Sequence, residues 1–115
     1  LNKMLQPNII YLESDKITHL TYKKFSQMDV LRSAYFKNVT EIGPMCFTKN
    51  RCLFKLKLPN LKIIRSQAFA LSGILQLNID KVELIEKKAF FQSQIRYIRN
   101  CLIKTIPNRC FKDCD

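Results

Sequence analysis

The sequence is poor in glycine, with two residues in 115, and holds only four prolines. That scarcity excludes a collagen-like chain and a linker-rich one, and it leaves no Gly-rich loop to cradle a phosphate. Histidine occurs once, as His19 between Thr18 and Leu20. No Ser, Cys or carboxylate joins it in a pattern such as GxSxG or HExxH, so no enzyme and no cofactor is expected. Apolar runs stay short of the roughly 18 residues a membrane-spanning helix requires. The opening LNKMLQPNII has no basic segment followed by an apolar one, so no signal peptide is visible.

Acidic residues are scarce too: nine Asp and Glu stand against 20 Lys and Arg, a formal net charge of +11. Such an excess favours anionic partners, among them acidic proteins, nucleic acid, sulfated glycans and anionic membrane surfaces. A Lys-, Asn- and Ile-leaning composition also arises from an AT-rich genome, so the charge alone assigns no function. With 47% hydrophobic and 25% charged residues, the chain has the makeup of one domain with a buried core.

The five cysteines, Cys46, Cys52, Cys101, Cys110 and Cys114, leave at least one unpaired, and none forms a CxxC pair. The odd count and the lack of a visible signal peptide favour a reducing, cytoplasmic setting. Cys101, Cys110 and Cys114 lie close enough in sequence to be read as a metal cluster, but a repeat gives two of them packing roles instead, and no metal site is expected.

That repeat is the main content of the sequence. Apolar residues recur at Ile9, Leu12, Ile17, Leu20 and Phe25; at Leu31, Ala34, Val39, Ile42 and Phe47; and at Leu53, Leu56, Leu61, Ile64 and Phe69. They return at Ile74, Leu77, Val82, Ile85 and Phe90, and at Ile95, Ile98, Ile103, Ile106 and Phe111. The steps within a unit are 3, 5, 3 and 5 residues in all five units, and only the step to the next unit varies, giving Phe-to-Phe periods of 22, 22, 21 and 21. Length variation confined to one connection is what a turn tolerates and a core does not. A unit this short cannot bury its own apolar face, so neighbouring units must stack into a solenoid with a shared core.

Within a unit, Leu53–Leu58 (LFKLKL) reads as a short strand with Leu53, Leu56 and Leu58 inward. A turn at Pro59-Asn60, a second extended piece LKII, and a turn or short helix at RSQAF follow. The third inward strand position is Phe36, Leu58 and Ile79 in the middle units but Ser14 and Asn100 near the ends, which fits either poorly packed terminal units or a local polar ladder. Met4 holds the preceding Phe position, so the expectation is one domain over 1–115 that starts and stops inside a unit. Flanking sequence would then cap it, or its ends would associate.

The pattern L..L.LP.L..I...AF resembles the leucine-rich repeats of the Treponema pallidum or BspA-like class, over essentially the whole chain. The resemblance implies a strand-rich horseshoe solenoid of the α/β type, with short helices or turns. It also implies a non-enzymatic interaction module, used in adhesion on bacterial or protist surfaces, with some intracellular members. Cell-surface or secreted placement is therefore the alternative to the cytoplasm. The class usually has Gly after the fourth apolar position, here only Gly43, and Cys three residues after the Phe, here only Cys114.

Repeat position gives each chemical-looking residue an expected place. Cys46 and Cys110 precede the unit Phe, where Ala68 and Ala89 stand, a site for a small buried side chain. Cys114 aligns with Asn50, Ser72 and Ser93 on the turn side, and Cys52, beside Arg51, is the candidate reactive thiol. Asn38-Val39-Thr40 satisfies the N-glycosylation pattern, with Asn38 at an accessible turn.

In leucine-rich repeats, residues between the inward strand positions stand on the concave sheet, the usual ligand surface. Here they are Ile10, Tyr11, Glu13; Arg32, Ser33, Tyr35; Phe54, Lys55, Lys57; Leu75, Gln76, Asn78; and Arg96, Tyr97, Arg99. Tyr11, Arg32, Tyr35, Phe54, Lys55, Lys57, Arg96, Tyr97 and Arg99 are the expected partner contacts. Aromatics interleaved with cations concentrate binding energy, and an acidic protein or peptide fits them best. The same face could stack bases and neutralise phosphates, so a nucleic-acid binder is the rival, although no named nucleic-acid motif is present.

Overall fold

A computed structural model of the chain describes residues 11–28, 30–99 and 110. Each of the first four repeats contributes a longer strand, a corner, a two-residue strand and a turn, and the fifth is described through its longer strand. The longer strands are β1 (Tyr11–Ser14), β3 (Ser33–Phe36), β5 (Lys55–Lys57), β7 (Gln76–Asn78) and β9 (Tyr97–Arg99). Between them come β2 (His19–Leu20), β4 (Glu41–Ile42), β6 (Ile63–Ile64) and β8 (Leu84–Ile85). All pairing is parallel, with partners one repeat apart: Leu12 opposite Ala34, Ala34 opposite Leu56, Leu77 opposite Ile98, and Ile42 opposite Ile64. Among the described residues no helix forms, and the segment before each Phe is a series of turns.

The repeat spacing follows from three walls enclosing one core. Apolar positions one and two, with Phe36, Leu58 and Ile79, line the first sheet, positions three and four the second sheet, and Phe the turn wall. Leu31, Val39, Ile42, Phe47, Leu53, Ile64, Phe69, Ile74, Val82 and Phe90 are fully buried in a continuous cluster, with Ile17 and Ile98 half-buried at its edges. The Phe rings form a column, with centroids 5.5 Å apart for Phe25–Phe47, 5.4 Å for Phe47–Phe69 and 5.3 Å for Phe69–Phe90. Each stacked pair adds about 0.5–1.5 kcal/mol beyond the area it buries. Ile9, Ile103, Ile106 and Phe111 lie outside the described residues, as do Asn100, Cys101 and Cys114.

The turn wall solves a hydrogen-bonding problem, because its backbone is buried on one side and belongs to no strand. Alternate N–H groups point in different directions. Those of Lys23, Phe25 and Gln27 donate to Pro44, Cys46 and Thr48 of the next coil, each at 3.0 Å. Those of Lys24, Ser26 and Met28 close local turns onto Thr21, Lys23 and Phe25. Met45, Phe47 and Lys49 repeat the outward set, onto Ser66, Ala68 and Ala70. The first and last residue of these two sets has positive φ, Lys23 and Gln27, Met45 and Lys49, and so do the equivalent residues Gln67 and Leu71, Lys88 and Gln92. None is glycine, and such residues are uncommon in this region.

The two glycines serve close approach instead, and neither has positive φ. A Cβ on Gly43 would stand 2.7 Å from the Leu20 carbonyl oxygen, to which its N–H already donates at 2.6 Å. A Cβ on Gly73 would stand 2.0 Å from the Arg51 oxygen. Gly73 marks where the period drops from 22 to 21, since Ser72-Gly73-Ile74 replaces the longer Asn50-Arg51-Cys52-Leu53. At the same junction the first sheet divides: β1-β3-β5 form one ladder and β7-β9 another, whereas β2-β4-β6-β8 remain continuous.

Candidate functional site: the outward face of the first sheet

Alternation along the longer strands sends every second side chain into the core and the others outward. Two outward columns result. One runs Tyr11, Ser33, Lys55 and, beyond the divide, Gln76 and Tyr97. The other runs Glu13, Tyr35, Lys57 and then Asn78, whose backbone is in register with Arg99 of β9. Arg32, Phe54, Leu75 and Arg96 add a third exposed row just before the strands. Of the expected contacts, Tyr11, Arg32, Tyr35, Phe54, Lys55, Lys57, Arg96 and Tyr97 thus share one face, while of Arg99 only the backbone register on β9 is described. Tyr97 is 69% exposed, Phe54 53% and Tyr11 51%, whereas Tyr35 is half-buried between its neighbours.

Charge on this face is graded. Glu13, at its first coil, accepts a hydrogen bond from the Tyr11 hydroxyl at 2.6 Å, which pushes the phenol pKa above its ordinary value. From β3 to β9 no outward position is acidic, while Arg32, Lys55, Lys57 and Arg96 are exposed cations. A shallow depression of about 830 Å³ lies there, lined by Phe54, Lys55, Lys57, Gln76, Asn78 and Tyr97. A second, of about 560 Å³, adjoins it, lined by Tyr35, Lys57, Pro59, Asn78, Lys81 and one acidic residue, Asp80.

The second sheet presents a different surface. His19, Glu41, Ile63 and Leu84 lie in register on it, and Leu84 is exposed. Arg65 bridges Glu41 at 3.0 Å and Glu86 at 2.9 Å, spanning three coils, and these two carboxylates raise its pKa. Glu86 also accepts from the Ser66 N–H at 3.0 Å. Arg65, Glu41 and Glu86 thus form a paired network on this side. His19 Nδ1 lies 3.1 Å from Thr18 Oγ1, and among the described residues no group of three His, Cys, Asp or Glu could hold a metal ion.

The corner between the sheets is stapled by amides. Asn38 Nδ2 donates to the Asp15 carbonyl at 2.6 Å and Asn60 Nδ2 to that of Lys37 at 2.8 Å, while Lys81 Nζ donates to Asn60 Oδ1 at 3.0 Å. Asn38 is exposed, as its turn position requires, but the nitrogen that a glycan would occupy already serves this contact. Ser14, the polar exception in β1, has a comparable local role: its Oγ accepts from the N–H groups of Lys16 and Ile17.

Cys46 and Cys110 fill the small buried position as expected, level with Ala68 and Ala89, and Cys52 is exposed. Burial pushes the Cys46 thiol up to about 12. Asn50, Ser72 and Ser93 stand three residues after the unit Phe, the position of Met28 in the first coil, and are buried although polar.

Residues 6–115 match the family described as BspA type Leucine rich repeat region, in 6 copies. The chain belongs to that family. Comparison with curated proteins and with solved structures gives no match. The BspA-type assignment agrees with the strand-and-turn solenoid, and leucine-rich repeats are in general non-enzymatic scaffolds for protein–protein interaction. Among the described residues no helix is long and apolar enough to cross a membrane.

Proposed function

We propose that this BspA-type solenoid is a protein-interaction module that holds an anionic protein partner against the outward face of its first sheet. The observation that carries this reading is the shared face of Tyr35, Phe54 and Tyr97 with Arg32, Lys55, Lys57 and Arg96, on which no outward strand position after Glu13 is acidic and Asp80 beside Lys57 and Lys81 is outnumbered by cations. Tyr11 extends the face at its first coil. Exposed aromatics supply apolar area at low entropic cost, and cations confer selectivity and fast association. The parallel coils make the face a rigid display, so little ordering cost attends binding.

The test is affinity capture with the intact chain beside the triple variant Tyr35→Ser, Lys55→Gln, Tyr97→Ser. Partners should be lost from the variant, and equal partner sets would refute the assignment. The rival reading, a nucleic-acid binder using the same cations, predicts DNA or RNA affinity at about 150 mM salt that falls when Arg32, Lys55, Lys57, Arg96 and Arg99 are neutralised together. An adhesin role at a cell surface would use the same face. It predicts glycan on Asn38 or a disulfide in protein from its native compartment. End-to-end association of chains would add a second, unrelated contact, read out as concentration-dependent size.

A further inference from the structure

We infer that the depression over β7 is a seat for one extended acidic peptide segment, lying along β7 between the side chains of β5 and β9, with Gln76 and Asn78 contacting its backbone. The inference rests on the protein-interaction reading of this face and narrows it to a form of ligand.

The trough is built by contrast between coils. The middle strand presents short, uncharged Gln76 and Asn78, while its neighbours present Phe54, Lys55 and Lys57 on one side and Tyr97 on the other. Ridges two coils apart are separated by about 10 Å, from the usual strand spacing. That width admits a single extended chain, whereas a helix with its side chains needs about 10–12 Å for its own diameter before any wall is counted.

The floor is polar in a way that suits a peptide backbone. Asn78 Oδ1 accepts from the Asp80 N–H at 3.0 Å, which presents its Nδ2 as a donor. Side-chain amides both donate and accept, so with Gln76 they can satisfy peptide C=O and N–H groups whatever the ligand's sequence. The trough also lies over the divide between β5 and β7, which run side by side without a shared ladder.

The walls choose the charge. Lys55 and Lys57 project from successive outward positions, about 6.6 Å apart along the strand. An extended ligand presents residues i and i+2 at the same interval, so two acidic residues spaced this way meet both ammonium groups. Phe54 and Tyr97 flank them with apolar area.

The probe is a library of random octapeptides displayed on phage and selected on the intact chain, with the recovered peptides then synthesised and titrated by fluorescence anisotropy. Peptides carrying Asp or Glu at i and i+2 should emerge. Their affinity should fall about tenfold or more with Gln76→Ala and with Lys55→Gln plus Lys57→Gln, and stay unchanged with Lys62→Gln on the second sheet. Gln76→Ala is read separately from Asn78→Ala, because Asn78 also braces its own turn. Recovery of no octapeptide, of peptides lacking acidic residues, or of acidic peptides indifferent to Gln76→Ala would overturn the inference. So would displacement of the selected peptides by a single-stranded oligonucleotide at lower concentration. If octapeptides fail while the triple variant of the preceding section still loses its protein partners, only the peptide seat falls. If that variant keeps all its partners, the broader reading falls with it.

Discussion

Gly73 sits so close to Arg51 that a Cβ on the glycine would stand 2.0 Å from the Arg51 carbonyl oxygen. The contact is where a 22-residue coil meets the first 21-residue coil, and the shorter turn must nest against the longer one. Gly73→Ala is therefore expected to cost about 2–3 kcal/mol through forced backbone displacement. Gln94, the equivalent residue one coil later, is exposed and already bears a side chain. Gln94→Ala should change stability by less than about 0.5 kcal/mol. Urea midpoints of the two variants check the contrast, and equal effects would contradict the nesting.

Phe69 has a ring on each side, with Phe47 at 5.4 Å and Phe90 at 5.3 Å and interplanar angles of 5° in both cases. Phe69→Ala removes a fully buried ring and two stacked contacts at once. The expected loss is about 3–5 kcal/mol by denaturant unfolding. A loss below about 1 kcal/mol would mean that the column does not hold the coils together.

The left-handed residues of the turn wall make the opposite prediction. Gln67 has φ of 58°, which costs about 1–2 kcal/mol for a residue with a Cβ. Glycine would relieve that but enlarge the unfolded ensemble by about 0.4–1 kcal/mol. Gln67→Gly should therefore be neutral to stabilising by about 1 kcal/mol, and Gln67→Val, β-branched, should be clearly destabilising. Thermal melts distinguish them. A glycine variant much less stable than the parent would refute the strain assigned to this position.

Thiol chemistry should separate Cys52 from Cys46. Cys52 is exposed, whereas Cys46 is buried and its thiol is pushed up to about 12, chiefly by desolvation. Iodoacetamide near pH 8, mapped by mass spectrometry, should modify Cys52 quickly and Cys46 only as the chain unfolds. The folded state holds the Cys46 proton more tightly than the unfolded state. Its contribution to stability is thus complete below the ordinary thiol value of 9.0 and is lost as pH rises toward about 12. Equal labelling of both cysteines in folded protein would overturn the buried placement.

How far such features can be read in advance depends on what signal a residue carries. The spacing of Val39, Ile42 and Phe47 is a hydrophobic period, and every described residue at a core position is buried or half-buried. Parallel stacking then follows, because identical units can bury identical faces only by lying in register. The turns were less legible. Lys23, Met45, Gln67 and Lys88 take left-handed backbone without the glycine that normally announces it. Asn50, Ser72 and Ser93 are polar, so their burial runs against composition. Residues of the outward face, such as Lys55 and Tyr97, could be placed by alternation alone. The trough between them could not, because it depends on how the first sheet divides where the period shortens.

Hydroxyl-radical footprinting of the chain with and without a captured partner tests most directly which surface binds. Tyr35, Phe54 and Tyr97 on the first sheet should lose reactivity in the complex, while exposed Tyr22 on the turn wall and Leu84 on the second sheet should keep theirs. Protection of Tyr22 or Leu84 with Phe54 and Tyr97 still fully reactive would place the partner elsewhere and contradict the assignment of the first-sheet face.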